Sequence, residues 1–321
     1  MVGLGPLLYS IFNNSRTPQC IHAHILQLPG LEAQTADFHR AAVRQGHTVT
    51  LHTIDQDKHK LLRNCSSSST LNLARFYFTS ILPATVDKVL WLDADVIVRC
   101  DVHQLLARLF VGRRRSRPIA AVARNVSFVR LYGQLNPVGT ANFLKVERVR
   151  ELNLKESWGY DLNSIKQGEA FNAGVTAFNL VRWREDHLSK RLEALEPALL
   201  RLGLATYKGL SVPNHGGRAV VAGSKFMRPP SSQLPLSVLF GHNFQHMDPS
   251  WNVEGLGWRK GLKRHVLRSA CALHWSGPGK PWGNTRVPGD HSTDHTRVNP
   301  YARQWYTPAL VGWHKALETE S

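Results

Sequence analysis

The apolar residues of this chain fall into short runs that alternate between strand-like and helix-like spacing. Strand-like runs are predicted at 21–28, 47–54, 86–98, 118–123 and 171–180. Amphipathic, helix-like runs are predicted at 5–15, 31–46, 71–82, 101–110 and 184–202. Asp101 stands just before the fourth of these helices and is its expected N-cap. Alternating strands and helices predict an α/β fold with a mainly parallel sheet covered on both faces.

The second half of the chain is less regular than the first. After the helix at 184–202 it is rich in proline, glycine and tryptophan and is interpreted as loops, up to the apolar run at 271–277. In the first half, the polar segment 55–70 is interpreted as a loop. The sequence shows no internal repeat and no linker, so we expect a single domain.

Two aspartates interrupt the apolar segment VLWLDADVIV, residues 89–98. In an extended segment, residues two apart lie on the same side, so Asp93 and Asp95 would face each other across Ala94. Buried carboxylates need a partner because an uncompensated charge is costly there. Protonation, pairing with a basic side chain, or capping of a loop would each suffice, but Mg²⁺ or Mn²⁺ suits two convergent carboxylates better. Ligands also collect beyond the carboxyl ends of strands in open α/β sheets.

A second segment with several chemically useful residues is LHWSGPGKPW, residues 273–282. His274 is a plausible metal ligand, and Lys280 can place a positive charge against phosphate. Gly277 and Gly279 allow the backbone to approach a ligand closely. A buried histidine beside a tryptophan is more often part of a core, yet a histidine, glycines and a lysine within seven residues are hard to explain by packing alone.

The net charge of +17 and a pI near 10.2 favour anionic partners without identifying one. The basic run 113–117 is typical of a solvated loop, and the chain lacks zinc-finger spacing and aromatic RNA-binding patterns, so nucleic acid is not the expected partner. No apolar run reaches the 18 residues that would indicate a membrane span. The cysteines, at positions 20, 65, 100 and 271, could be free thiols or form one or two disulfides. Sequons for N-glycosylation occur at Asn13, Asn64 and Asn125.

Five segments in order resemble glycosyltransferase family 8, the retaining nucleotide-sugar transferases of GT-A fold. They are NLARFYFTSILP (72–83), the D-x-D strand, FNAGVTAFNLVRW (171–183), SSQLPLSVLF with PSWNVEGLGW (231–258), and LHWSGPGKPW. The pair at 231–258 is similar to the "glycosyltransferase 8 domain-containing" subgroup. The resemblance runs to about residue 310. It implies a Rossmann-like fold with a mixed, mainly parallel central sheet flanked by helices.

The resemblance also implies residue roles. Mn²⁺ or Mg²⁺ would be held by Asp93, Asp95 and His274. The UDP-sugar donor would be contacted by Arg75, Ala94, Asn172, Gly174, Gly277 and Lys280. The reacting centre would hold Gln233 and Asn172. Each role has a structural alternative: Arg75 pairing with a surface carboxylate, Asn172 closing a turn, or Gln233 as a solvated loop residue.

The function implied is metal-dependent transfer of a hexosyl group from a UDP-sugar to a glycan or other hydroxyl acceptor, possibly acidic. The alternative is a degenerate transferase that binds a sugar or polyanion without turnover. The single domain, 1–321, would comprise a nucleotide-sugar and metal half (1–180), an acceptor half (181–312) and a frayed tail (313–321). The site of action implied is the Golgi lumen, with membrane association only through a segment absent from this chain.

Two features depart from the family pattern. Family members begin with a strand that clamps the nucleotide, whereas this sequence begins at the helix that follows it. The first strand and any upstream anchor are therefore expected to be missing. Where many members carry an acidic residue that touches the donor sugar, this chain has Arg124 and Asn125. This change indicates altered donor choice or weakened catalysis.

Overall fold

A computed structural model describes residues 3–63, 67–127, 130–131, 168–201, 206–208, 225–227, 232–259, 261–277, 279–282, 301 and 305. Within these ranges the α-helices are α1 (Leu4–Asn13), α2 (Glu32–Arg44), α3 (Ser67–Ala74), α4 (Phe78–Ile81), α5 (Val102–Arg108), α6 (Leu180–Glu185), α7 (Leu188–Arg201), α8 (Gln233–Phe240) and α9 (Arg264–Ser269). The strands are β1 (His22–Gln27), β2 (Thr48–Thr53), β3 (Lys88–Leu92), β4 (Val96–Val98), β5 (Ile119–Ser127), β6 (Glu169–Asn179), β7 (Thr206–Lys208), β8 (Lys225–Met227), β9 (Gln245–His246), β10 (Val253–Glu254) and β11 (Ala272–His274).

The contacts of the chain group into two compact units, each assembled from separate segments. The first unit comprises Met1–Ile54, Leu90–Leu109 and Asp248–Ser321. The second comprises Asp55–Val89 and Phe110–Met247. Neither unit coincides with the predicted halves, so the division into a donor half and an acceptor half stays a prediction. The predicted tail at 313–321 lies outside the described residues.

One part of the first unit is a parallel strand pair covered by helices. β1 pairs with β2 in parallel along its whole length. One face of the pair buries Ile25 and Val49 against Leu8, Phe12 and Ala42 of α1 and α2. The amphipathic spacing of α1 and α2 therefore serves to cover one face of this strand pair.

The other part of the first unit carries the acidic motif. β11 lies between β4, with which it pairs antiparallel, and β10, with which it pairs in parallel. Next to this sheet Trp275 and Trp305 are fully buried and pack edge to face. A disulfide joins Cys100 and Cys271, which follow β4 and precede β11. The backbone N–H of Arg99 donates to the carbonyl of Cys271 at 2.7 Å, so the strand pairing continues up to the disulfide.

The second unit is built on a larger sheet, ordered β3-β6-β5-β9, whose first strand begins in this unit at Lys88. β5 is antiparallel to β6 and parallel to β9. β7 and β8 form a separate antiparallel pair. Buried aromatic rings pack in tilted or edge-on contacts around β6: Phe78 with Phe178, Phe178 with Trp183, Trp183 with Phe240, and Phe171 with Phe244.

The structure confirms the mixed α/β architecture and most predicted elements in the described ranges. Asp101 caps α5 as predicted, since its carboxylate accepts from the backbone N–H groups of His103 and Gln104. The predicted helix 184–202 is divided into α6 and α7 at His187, whose φ is +51°. Short elements in the region interpreted as loops, such as α8 and α9, were not predicted. No helix among the described residues is long and apolar enough to cross a bilayer.

Candidate metal and donor site

The acidic motif lies in a turn, which corrects the extended geometry predicted for 86–98. β3 ends at Leu92 and β4 begins at Val96, so the segment is two strands. The turn is closed by the N–H of Val96, which donates to the carbonyl of Asp93 at 3.1 Å. The tight turn keeps both charged residues out of the strands and still brings the two carboxylates close together. The expected convergence of Asp93 and Asp95 is therefore present, but a turn and not strand pleating produces it.

His274 lies against both carboxylates. It is the last residue of β11, and its side chain is 3% exposed. Its Nε2 atom is 3.3 Å from Oδ1 of Asp95 and 4.0 Å from Oδ2 of Asp93. The N–H of Trp275 donates to the carbonyl of Asp95 at 3.0 Å, which fixes the turn against the end of β11. The structure thus brings together the three residues predicted as metal ligands, with one possible ligand atom from each lying within 4.8 Å of the others.

Asn252 orients the imidazole of His274. Asn252 ends a short 3-10 turn, Pro249–Asn252, and is buried. Its Oδ1 atom lies 2.9 Å from Nδ1 of His274. An amide oxygen only accepts hydrogen bonds, so Nδ1 carries a proton and Nε2 is the ring nitrogen that faces the carboxylates. Sequence reasoning missed this residue, although it lies inside the motif PSWNVEGLGW.

Two further contacts hold the carboxylates in place. Trp91 donates from its indole N–H to Oδ1 of Asp93 at 2.6 Å. Lys280 donates to Oδ2 of Asp95 and, at 3.1 Å, to the carbonyl of Trp275. Burial alone would raise the pKa of Asp95, but the hydrogen bond and charge of His274, and then the charge of Lys280, lower that pKa below its ordinary value. Asp95 is therefore a carboxylate, and not a carboxylic acid, at neutral pH.

These residues fit a hard divalent cation. Two carboxylates and one neutral imidazole nitrogen are ligands that Mn²⁺ and Mg²⁺ accept. Neighbouring ligands on an ion with bonds of about 2.1 Å lie about 3 Å apart. The measured separations of 3.3 and 4.0 Å from Nε2 require only movements of an ångström or less. The proton on Nδ1, held by Asn252, is the arrangement that metal-binding histidines have.

Glycines allow two backbone segments to meet beside Lys280. The N–H of Gly279 donates to the carbonyl of Gly257 at 2.9 Å. A Cβ atom on Gly279 would lie 2.4 Å from that carbonyl oxygen, and one on Gly257 would lie 2.9 Å from the carbonyl oxygen of Gly279. Gly277 has a φ of +98°, a conformation that residues with a side chain rarely adopt. Glycine is thus required at these positions by the path of the chain to Lys280.

The predicted donor residue Ala94 lies in the turn between the two aspartates and is exposed. Its carbonyl oxygen is so close to Gly3 that a Cβ atom there would lie 2.2 Å from it. Arg124 and Asn125, which replace the expected acidic residue, both lie in β5. Asn125 is exposed and has a φ of +55°, within a stretch where the pairing of β5 with β6 shifts register.

The remaining predicted donor and catalytic residues meet in the second unit, around residues 171–174 of β6. The guanidinium of Arg75 is buried and donates to the carbonyl of Ala173 at 2.6 Å. Gln233, the first residue of α8, accepts from the N–H of Ala173 at 2.8 Å and donates to the carbonyl of Phe171. Asn172 accepts from the N–H of Gly174 at 2.9 Å. These contacts correct the alternatives of a surface ion pair for Arg75 and a solvated loop for Gln233.

Comparison with known proteins decides the family. The family model described as "Glycosyl transferase family 8" matches residues 1–207. The chain belongs to glycosyltransferase family 8. Glycosyltransferase 8 domain-containing protein 1 of Bos taurus is 30% identical over 257 residues, covering 77% of this chain and 57% of the relative. Glycosyltransferase 8 domain-containing protein 2 of Macaca fascicularis is 26% identical over 250 residues, covering 76% and 60%. This family 8 chain thus spans less than two thirds of the length of these curated relatives.

Solved structures agree on the fold of this family 8 chain. The galactosyltransferase LgtC, solved with donor and acceptor sugar analogues, is similar with a TM-score of 0.56 at 17% identity, over 97% of this chain and 91% of LgtC. The bifunctional glycosyltransferase WbbM is similar with the same TM-score and identity, over 98% of this chain and 49% of WbbM. The predicted GT-A fold is confirmed.

The role of Asn252 leads to a testable prediction. Replacing Asn252 with alanine removes the acceptor that fixes the His274 tautomer, so we expect the affinity for Mn²⁺ to fall by about 10- to 100-fold. Calorimetric titration of Mn²⁺ into purified protein measures this. The Asn252→Asp variant keeps an acceptor oxygen and should retain most of the affinity, and Asn13→Ala, at an exposed position of the first unit, should not change it. Equal Mn²⁺ affinity for Asn252→Ala and wild type would contradict the assignment.

Proposed function

We propose that this chain is the transferase domain of a metal-dependent, retaining glycosyltransferase that moves a hexosyl group from a UDP-sugar to a hydroxyl of a glycan or related acceptor. The observation that carries the proposal is the triad of Asp93, Asp95 and His274, whose ligand atoms lie within 4.8 Å of one another. It occurs in a chain with the family and fold of glycosyltransferases. The retaining outcome rests on the family resemblance.

In the first unit the proposed work is to stabilise a diphosphate leaving group. A Mn²⁺ or Mg²⁺ ion held by the triad would supply positive charge to the diphosphate oxygens as the bond to the sugar breaks. Lys280, beside Asp95, would add a second positive charge at the same place. Gly277 and Gly279 pack closely against Trp258 and Gly257, so they set the path of the backbone near Lys280. None of these roles needs a strongly nucleophilic side chain.

In the second unit the proposed work is to hold the donor sugar. Arg75 and Gln233 both bond to the backbone of Ala173, so they fix the path of β6 between Phe171 and Gly174. Asn172 and Gly174 would then present fixed polar groups to the sugar hydroxyls. The family resemblance is the basis for proposing that Gln233 lies near the reacting centre.

We also propose a lumenal site of action in the secretory pathway, with the Golgi indicated by the family resemblance. The Cys100–Cys271 disulfide favours an oxidising compartment. The asparagines of two N-glycosylation sequons, Asn13 and Asn125, are exposed. The excess positive charge of +17 fits an acidic acceptor.

A second candidate function is a binding protein that retains the nucleotide-sugar site without turnover. It is favoured by Arg124 and Asn125, which stand where the resemblance implies an acidic residue that contacts the donor sugar. An arginine at that position would remove a hydrogen-bond acceptor for a sugar hydroxyl. Binding of UDP would be unaffected, because the diphosphate contacts are made by other residues.

The test uses purified chain and a panel of UDP-sugars, each incubated with Mn²⁺ or with a chelator. We expect UDP release from at least one donor, dependent on metal and lost when the metal is chelated. Calorimetric titration of UDP in the presence of Mn²⁺ runs in parallel. Binding of UDP without turnover on any donor would select the second candidate function. Equal UDP release with and without metal, or no UDP binding at all, would contradict both the proposed function and the second candidate function.

A further inference from the structure

A second group of histidines lies in the first unit, away from the acidic triad in sequence. His22, His24 and His52 share one face of the β1–β2 pair, because residues two apart on a strand point to the same side. We name these three residues the histidine face. The opposite face carries the buried residues Ile25 and Val49, so the core does not use these imidazoles. Nothing in the proposed transfer reaction uses them either.

The imidazoles of the histidine face are in direct contact. Nδ1 of His24 lies 2.9 Å from Nε2 of His52, in a hydrogen bond that joins the two strands. The rings of His22 and His24 stack with centroids 4.1 Å apart. Nε2 of His22 lies 2.8 Å from Oγ1 of Thr50, which holds the His22 ring over its neighbour. Three imidazoles are thus gathered on two paired strands.

The spacing of the central pair is close to that of two ligands on one metal ion. With Zn–N bonds of about 2.05 Å and a tetrahedral angle, two ligand nitrogens lie about 3.3 Å apart. The observed 2.9 Å needs to widen by only a few tenths of an ångström for an ion to replace the shared proton. The parallel pairing of β1 and β2 sets the two ring positions in advance, so little ordering is needed on binding.

The protonation of these rings also suits a metal. Partial burial, followed by the neighbouring charges of His22 and His52, lowers the pKa of His24 to about 4. Partial burial and then the charge of His22 lower the pKa of His52. Near pH 7 both rings are neutral, and neutral imidazole is the form that ligates metal.

We propose that the histidine face binds a borderline divalent transition metal, Zn²⁺ above all, through Nδ1 of His24 and Nε2 of His52, with water completing the shell. An all-imidazole site prefers Zn²⁺, Cu²⁺ or Ni²⁺ to the hard cations that suit the carboxylates of the acidic triad. The bound ion would clip β1 to β2. This site goes beyond the proposed transfer function and does not depend on it.

The test separates the two sites by mutation of the full chain. In an Asp95→Ala, His274→Ala background, calorimetric titration with Zn²⁺ alone should show one equivalent bound. Adding His24→Ala or His52→Ala should remove that binding, whereas His265→Ala, an exposed histidine of the same unit, should not. If the alanine variants do not fold, His24→Gln keeps a hydrogen-bonding side chain and should still lose Zn²⁺. In the Asp95→Ala, His274→Ala background, Zn²⁺ should raise the melting temperature, and adding His24→Gln should abolish that rise.

Two outcomes would overturn the proposal. One is the absence of Zn²⁺ binding in the Asp95→Ala, His274→Ala background while wild type binds Zn²⁺, which would assign all binding to the acidic triad. The other is equal Zn²⁺ binding by that background with and without His24→Gln, which would place the ion elsewhere. Either result would leave the His24–His52 bond with a structural role in joining the strands. Neither result bears on UDP-sugar turnover, so failure here is distinguishable from failure of the proposed function.

Discussion

Asp95→Asn should lower metal-dependent sugar transfer by about a thousandfold, while the protein remains folded. Asp95 contacts both His274 and Lys280, and asparagine keeps its size but removes its negative charge. Loss of metal-ion stabilisation at the leaving group raises the activation free energy by several kcal/mol. An increase of about 4 kcal/mol corresponds to a thousandfold lower rate. The measurement is the initial rate of UDP release at saturating Mn²⁺, on whichever donor the wild type uses.

The control for Asp95→Asn is the same substitution at Asp57, an exposed aspartate outside the triad, which should leave the rate unchanged. Circular dichroism and a melting curve show whether each variant is folded. A folded Asp95→Asn protein with a rate within a few fold of wild type would show that the carboxylate does not hold the catalytic metal. Raising the Mn²⁺ concentration should restore part of the rate if lost affinity is the main defect.

The second large effect is expected from removing the disulfide. Cys100 and Cys271 are 171 residues apart in sequence, and closing a loop of that length stabilises the fold by about 5 kcal/mol in the chain-entropy model. Measured losses for native disulfides are typically about 2–5 kcal/mol. We therefore expect the Cys100→Ser, Cys271→Ser variant to unfold at a clearly lower denaturant concentration than wild type.

Equilibrium unfolding in urea measures this difference, and the exposed free thiol of Cys20 provides the control. Cys20→Ser should unfold at the same urea concentration as wild type. The disulfide sits at the ends of β4 and β11, the strands that carry the acidic turn and His274, so the double variant should also bind Mn²⁺ more weakly. An unchanged urea midpoint for the double variant would show that the disulfide contributes nothing to the folded state.

The sequence pattern predicted those parts of the fold that depend on interactions between residues close together in the chain. The N-cap at Asp101 is set by one side chain and the next backbone N–H groups, and it was predicted correctly. The break of the helix at His187 needs a positive φ in a residue that seldom adopts one, and no local signal marks it. The turn at 93–95 was missed because the apolar residues on both sides of the aspartates suggested one continuous strand.

For the candidate site, too, some features were predicted from the sequence and others depend on the three-dimensional fold. Aspartates separated by one residue and a distant histidine suggested a metal site because their chemistry is specific, and the structure brings them within 4.8 Å. Asn252 was missed because an asparagine three residues after a proline is typical of many turns, and only the fold places its Oδ1 atom 2.9 Å from His274. The backbone contacts of Arg75 and Gln233 were likewise hidden, since both depend on the path of β6 in three dimensions.

The segments of the two units alternate along the sequence, and this affects folding and disulfide formation during synthesis. During synthesis Cys100 leaves the ribosome 171 residues before its partner, and Cys20 and Cys65 have already emerged. Wrong pairings among these three thiols can form while Cys271 is still untranslated, and correcting them takes minutes to hours without an isomerase. The first unit also cannot close until its last segment, beginning at Asp248, has been translated. Recombinant production should therefore favour an oxidising host compartment that supplies disulfide isomerase.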